Sequence, residues 1–538
     1  YTLAFEMGWT PSTLIWDVPS QFPPSGSVED TRPPYEPVNY DERFHGPVTV
    51  RSALANSYNI PAVKTLNFVR IYDNPDTTQE EGFIAFARRL GINTLNRNDY
   101  GLSLTLGGGE VTLLDLTGAY SVYANNGIRI PPVAITRIED HDGNVVYEYE
   151  QPELNQVISP EHAYLITSIL SDNQARAPMF GTDSMLNVPF AAAAKTGTTN
   201  DFRDNWTMGY TPDIAVGVWV GNADYTPMQN TTGLSGAAPI WNEFIQAAVG
   251  QLTNHSPANF IRPLGIEEHI VCTISGAEPS RWCPDQRVEI FASGQPPLPK
   301  QQDLWQEVYI DSWTRLLASA DCSEYVEEKL GLAVSDPWAR EWIEEENAGQ
   351  DWAESVGFEE EEIFFVPEDT CTADSPRPIL EISSPSEGDT ITRLPVEING
   401  KAASTDFFKR WILSYGEGFD PDSWTRIKRS ETAYHQTADL ATWDPDDIPE
   451  GPVTLRLVLR GNNGGSVETQ VHLSFDVATP TPTPSPTPTI TLTPTGTSTS
   501  TATAEATSTQ TATATHTATS TATVTSTQTP TATATATP

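Results

Sequence analysis

From Thr479 to the C-terminus every odd-numbered residue is Thr except Ser485 and Glu505, with Pro in many even positions early and Ala later. A two-residue period imitates a β-strand, but neither face is apolar enough to bury. Such a segment cannot offset its ordering entropy, so 479–538 reads as a disordered, polyproline-like Thr/Pro/Ala tail, of a composition common in O-glycosylated stalks outside cells. Extended at about 3.1 Å per residue, it reaches on the order of 150–200 Å. Folding is left to the residues before it.

Those residues are strongly acidic. The chain has 71 Asp and Glu against 30 Lys and Arg, a formal net charge of −41. That field repels phosphate backbones, so no nucleic-acid partner is expected, and anionic lipid surfaces are equally poor partners. No apolar run is long enough to span a bilayer and no signal-peptide pattern opens the chain. The eight histidines are scattered, with no HExxH and no CxxC, so neither a metal site nor a cofactor is expected. The four cysteines allow buried thiols or one or two disulfides, the latter requiring an oxidising compartment. The preferred pairing is Cys272 with Cys283, which closes a short loop where little else is periodic. Cys322 with Cys371 comes second.

Composition divides the rest. Residues 1–262 alternate helix-period stretches, such as Val48–Phe68 and Glu110–Asn126, with Gly- and Pro-marked turns. Two β-rich runs, Phe202–Tyr210 and Ile214–Val220, lie near the end. Helices flanking an antiparallel sheet, an α/β (α+β) architecture, follow from that order. Residues 263–376 form a Cys-containing extension, irregular to about residue 300. Beyond that it is acidic, with Trp305, Trp313, Trp338, Trp342 and Trp352 interleaved, which predicts short acidic helices packing their aromatics on a neighbour. Asp336-Pro337 marks a helix start and Gly349 its stop. Residues 377–478 switch to period two. Val453, Leu455, Leu457 and Leu459 alternate with polar neighbours, a Gly- and Asn-rich turn follows, and Val467 to Phe475 alternate again. That hairpin predicts an all-β, immunoglobulin-like sandwich.

Two short motifs carry the chemistry. Ser57-Tyr58-Asn59 lies within Arg51–Ala62, and Lys195-Thr196-Gly197-Thr198 follows four alanines and precedes a strand. Each alone reads as a capped turn. In this order and spacing they are two thirds of the active-serine set S-x-x-K, S-x-N, K-T-G. The surroundings extend the likeness: Tyr1–Glu6, Asn39-Tyr40, His45-Gly46-Pro47-Val48, Leu106–Thr112 with Ala119-Tyr120 and Ala124–Gly127, Lys195–Asp204 with Trp206, and Val216–Gly221. In continuous order over about residues 1–250, the chain resembles class A penicillin-binding proteins, the bifunctional peptidoglycan synthases.

The resemblance implies a penicillin-binding transpeptidase fold, an extracytoplasmic location and a DD-transpeptidase reaction. Stem peptides ending in D-alanyl-D-alanine are the substrates and β-lactams the inhibitors. Ser57 then relays a proton to the leaving D-alanine, and Asn59 holds the donor peptide's amide. Lys195 keeps the field positive, and Thr196 and Thr198 bind the substrate carboxylate. Gly197 leaves the strand edge open, and the Thr198 N–H stabilises the oxyanion. No serine stands in S-x-x-K context. The nucleophilic serine and its lysine are therefore expected upstream of Tyr1, with a glycosyltransferase region and membrane anchor further upstream, and the chain as given is expected to be inactive. Asp204 and Trp206 read as braces. Gly107-Gly108-Gly109 reads as a turn rather than a phosphate loop, since no Lys-Ser/Thr follows, and Glu110 as a helix-start charge.

Two other readings stay open: a DD-carboxypeptidase or β-lactamase-like hydrolase, and a non-catalytic penicillin-recognising or wall-binding module, its C-terminal domain touching wall glycan. The tail buries nothing, so truncation after Val477 should leave the intact enzyme's cross-linking rate in vitro unchanged; a large loss would show that the tail takes part in catalysis.

Overall fold

The structure is a computed structural model and describes residues 1–74, 81–151, 153–199, 202–229, 231–358, 363–445 and 451–477. The Thr-rich tail lies outside the described residues.

The helix-period stretch Val48–Phe68 becomes two helices, Val50–Asn56 and Asn59–Val69. They part at Ser57, which adopts the left-handed conformation with φ 63°. The Thr49 hydroxyl accepts the Ser52 N–H and caps the first helix. Downstream, Thr112 caps the helix Leu113–Ala124 in the same way. Before it, Gly107 ends a short 3₁₀ turn at φ +100°, so the triple glycine is a turn.

The β-rich runs form a three-stranded antiparallel sheet in sequence order: Ala193–Thr198, Asp204–Tyr210, Ala215–Gly221. Ala194 and Val216 pack with Trp241, Ile245 and Val249 of the helix Ala238–Leu252. Ala193 and Tyr210 pack with Leu165, Ile166 and Ile169 of the helix Pro160–Leu170. Helices therefore cover both faces of the sheet, and the Ala193–Thr198 strand lies at an edge with its other side unpaired by strands among the described residues.

The region after residue 262 is more regular than its composition suggests. Ile266–Cys272 pairs antiparallel with Gln286–Ala292, where an irregular segment was expected. Trp305–Asp311 pairs with Val326–Leu332, where acidic helices were expected. In neither hairpin does burial follow a strict alternation: Ile270, Val288, Tyr309 and Val326 are exposed while Glu289 and Asp311 are buried, so no period of two marks these strands in the sequence. Helices do follow at Pro337–Glu345 and Asn347–Ser355. The Asp336 carboxylate accepts the Trp338 and Ala339 N–H groups at the first start. Gly349, read as a stop, instead sits inside the second helix. Its hydrogen faces the first helix so closely that a Cβ there would lie 2.0 Å from the Trp342 carbonyl oxygen. The cysteines are paired as Cys272–Cys283, Cα atoms 5.8 Å apart, and Cys322–Cys371, Cα atoms 6.2 Å apart; both separations are ordinary for disulfides.

This region shares its core with the first residues of the chain. Trp16 and Val18 join Cys272, Trp305, Leu332, Trp342 and Ile343 in one buried cluster, and Trp16 meets Trp352 edge-on. The contact is also ionic. The Arg51 guanidinium, in the helix before Ser57, donates to both carboxylate oxygens of Glu289 at 2.7 and 2.6 Å, with Glu289 almost wholly buried.

Beyond residue 377 two sheets enclose a common core. One holds Pro378–Ser384, Val396–Ser404 and Tyr434–Trp443; the other has five strands, with Gly451–Gly461 and Ser466–Phe475 as the expected hairpin. Trp411, Leu413, Leu440, Leu455, Leu457 and Leu473 fill the space between them. Trp313 joins the same cluster, tying these sheets to the preceding region.

Glu289→Gln would leave the buried Arg51 cation short of charge. Losing one partner of a buried pair costs about 3–5 kcal/mol. A urea-denaturation midpoint unchanged from wild type would show that the pair does not hold the extension to the Ser57 helix.

Candidate active site

The left-handed turn at Ser57 exists because one helix must end and another begin within three residues. Ser57 closes the first helix, Tyr58 opens the second with extended backbone, and Asn59 is its first residue. The turn points the Ser57 hydroxyl at the edge strand. There Lys195 Nζ donates to Ser57 Oγ at 2.6 Å and to the Thr196 carbonyl at 2.7 Å. Residues 138 apart in sequence thus meet in one hydrogen bond.

Strand parity decides what else faces the opening. The Thr199 N–H donates inward to the Asp204 carbonyl. Successive N–H groups on an antiparallel strand point to alternate sides, so the Thr198 N–H points away from its partner strand, toward the open edge. Side chains alternate between faces in the same way. Lys195 and Gly197 share one face, and Thr196 and Thr198 the other. On that second face the Thr198 hydroxyl accepts the Gly233 N–H at 3.0 Å, which leaves its own proton free to donate. Gly233 opens the five-residue π-turn before the helix Ala238–Leu252. A Cβ on it would lie 2.7 Å from the Gly197 carbonyl oxygen and 2.6 Å from that of Trp206, so only glycine fits. A Cβ on Gly197 would meet Trp206 at an ordinary 3.5 Å. The protein's own packing therefore does not demand glycine at 197.

Asn59 is not joined to the Ser57–Lys195 pair. Its carboxamide donates to the Val38 carbonyl at 2.7 Å, and its backbone N–H donates to Asn39 Oδ1 at 2.7 Å. Asp204 braces the sheet: one carboxylate oxygen accepts the Trp219 indole N–H and the other the Thr199 hydroxyl. Trp206 packs 6.4 Å from Trp219, centroid to centroid.

Arg176 was missed by sequence reading, because nothing in its turn-rich segment marks it. It is 2% exposed and donates to the Ala194 and Leu170 carbonyls. Burial lowers its pKa to about 10, against the opposing charge of Asp172. Burial first, and then the Arg176 charge, lower the Lys195 pKa to about 8. Near neutrality the site holds two cations, Arg176 buried and Lys195 half-buried, and no carboxylate is bonded to either among the described residues. Such a site attracts an anion. Among the described residues no group of three or more His, Cys, Asp or Glu side chains is arranged to hold a metal.

A serine hydroxyl bonded to a lysine thus stands beside an outward N–H on an unpaired strand edge. In comparison with known proteins, residues 15–246 match the penicillin-binding protein transpeptidase domain. Penicillin-binding protein 1A of Neisseria meningitidis serogroup A is 31% identical over 259 residues, covering 46% of this chain and 30% of the relative. That of Aquifex aeolicus is 32% identical over 266 residues, covering 46% and 34%. The chain thus spans 30–34% of the length of these curated relatives. The crystal structure of penicillin-binding protein 1A from Haemophilus influenzae aligns with a TM-score of 0.46 at 25% identity, covering 55% of this chain and 47% of that one.

The depressed Lys195 pKa has a measurable consequence. The folded group loses its proton near 8, whereas an unfolded lysine keeps it to about 10.5. Between those values the unfolded state binds more protons, so stability attributable to Lys195 rises with pH. Relative to Lys195→Met, wild type should gain on the order of 3 kcal/mol between about pH 8 and 10.5. Parallel urea-unfolding curves across that range would exclude a depressed lysine.

Proposed function

We propose that this chain carries the DD-transpeptidase half of a cell-wall synthase, cross-linking D-alanyl-D-alanine stem peptides through an acyl-enzyme. The observation carrying the reading is the 2.6 Å contact of Lys195 Nζ with Ser57 Oγ beside the unpaired strand edge. Acyl transfer needs a nucleophile, a proton path to the leaving amine and donors for the oxyanion. In this reading Ser57, bonded to a cation, passes a proton to the departing D-alanine. The Thr198 N–H points to the edge along which a peptide donor would lie and serves as an oxyanion donor. Lys195 and Arg176 supply positive field for the terminal carboxylate, which also takes hydrogen bonds from the Thr196 and Thr198 hydroxyls. Asn59 turns its carboxamide to Val38 and takes up the donor's amide on rearrangement.

The nucleophile is assigned to a serine outside these 538 residues, because no serine here stands three residues before a lysine. The hydrolase alternatives are weighed down by the likeness to class A synthases. Two disulfides suit an oxidising compartment, and so an extracytoplasmic setting. The two sheets after residue 377 are read as an immunoglobulin-like module available for wall contact, on the strength of their shared core.

Fluorescent penicillin tests this. The complete gene product should be labelled on a serine, and residues 1–538 alone should not. Lys195→Ala should slow acylation about 10²–10³-fold, the usual effect of removing one charge-stabilising group, and Asn59→Ala should be milder. Labelling of the 538-residue chain would refute the nucleophile's placement, and a near-normal rate in Lys195→Ala would refute the lysine's role.

A further inference from the structure

We propose that His45 is a positioning residue for the S-x-N motif: as an imidazolium clamped between Asp17 and Asp41 it holds Tyr58 and Asn59 in place. This deepens the acyltransferase reading and rests on it for its catalytic meaning, but the clamp itself is geometry. His45 Nδ1 lies 2.6 Å from Asp17 Oδ2, and Nε2 lies 3.2 Å from Asp41 Oδ2. Carboxylate oxygens only accept. The Asp17 contact is a hydrogen bond donated by Nδ1–H, and the Asp41 contact is an ion pair that the charged ring, with its second N–H, completes. Burial alone would favour the neutral ring, but Asp17 and then Asp41 outweigh it and raise the His45 pKa above its ordinary value.

The clamp reaches the motif by two routes. The imidazole stacks on the Tyr58 ring with centroids 3.9 Å apart and planes 20° from parallel. Asn39 donates to the same Asp17 oxygen at 2.7 Å, while its own Oδ1 accepts the Asn59 N–H at 2.7 Å. Asp17 and Asn39 are almost fully buried, so these contacts are made away from solvent. Among the described residues, the titratable groups acting on the clamp can be named. They are Asp17 on the strand Leu14–Asp17, Asp41 in the following loop and Tyr58 at the helix start. Tyr1 and Lys64 act on Asp17 from the neighbouring helices.

The sign follows. With a raised folded pKa, the contribution of charged His45 is complete below about 6.5 and is lost as pH rises through the folded value. A neutral ring keeps one donor, so one of the two carboxylate contacts turns repulsive and the Asn59 anchor loosens.

Hydrogen exchange of the segment containing Asn59, corrected for intrinsic rates and followed from pH 5.5 to 9 on the 538-residue chain, reads this directly. Wild-type protection at the Asn59 amide should fall about fivefold, one hydrogen bond's worth, through a midpoint above 6.5. Asp41→Asn, at a partly exposed position, should move the midpoint down while the fold stays intact. His45→Gln, which keeps one donor and does not titrate, should remove the step. A flat wild-type profile, an unmoved midpoint in Asp41→Asn or a surviving step in His45→Gln would each overturn the inference. In the complete gene product, His45→Gln should flatten the same limb of the penicillin-acylation pH profile. A wild-type product that does not react with penicillin rejects the acyltransferase reading instead and leaves the exchange result standing.

Discussion

A half-buried lysine without a carboxylate partner is the constraint around which this site is built. Lys195 spends its hydrogen bonds on a hydroxyl and a carbonyl, and the charge acting on it, Arg176, is itself a buried cation. In a chain with a net charge of −41, carboxylates to neutralise that lysine are abundant, and among the described residues none is bonded to it. Burying charge this way is costly unless something negative arrives. The site is thus held in a state that an anionic ligand would relax, and the lowered lysine pKa records the same tension.

Such a site needs a stiff frame, since a mobile one would let the ammonium escape to water. The sheet has helices on both faces, and Gly233 lets the π-turn press directly against the carbonyls of Gly197 and Trp206. On the opposite wall, Ser57 depends on two helix ends. The preceding helix is fixed by the buried Arg51–Glu289 pair, so the hairpin at 266–292 bears on the site although it contributes no residue to the chemistry. The following helix is tied to the acidic region by Lys64, which meets Asp336 at 2.5 Å and lies over the Trp338 ring. Residues that look like an appendage in sequence are packed as a buttress.

Much of this was legible beforehand, for local reasons. The helix start at Asp336-Pro337 is read from two adjacent residues. The C-terminal hairpin is legible because its apolar residues alternate without interruption. The hairpins between residues 266 and 332 were not, because apolar residues such as Ile270 and Val288 are exposed and charged ones such as Glu289 and Asp311 are buried, which leaves no alternation to read. Gly349 was misread for a related reason: a glycine that ends a helix and one that admits a neighbouring helix are the same letter.

The sequence by itself determined the motif pair Ser57–Asn59 and Lys195–Thr198 and the order of elements around them, because turns, caps and strand periods are local properties of the chain. Only the tertiary structure decided that Lys195 bonds Ser57, that Asn59 instead faces Val38, that Arg176 stands behind the lysine, and that His45 joins Asp17 to Tyr58. Each of those depends on which surfaces meet across tens to hundreds of residues, and the burial that lowers the Lys195 and Arg176 pKa values exists only once they have met.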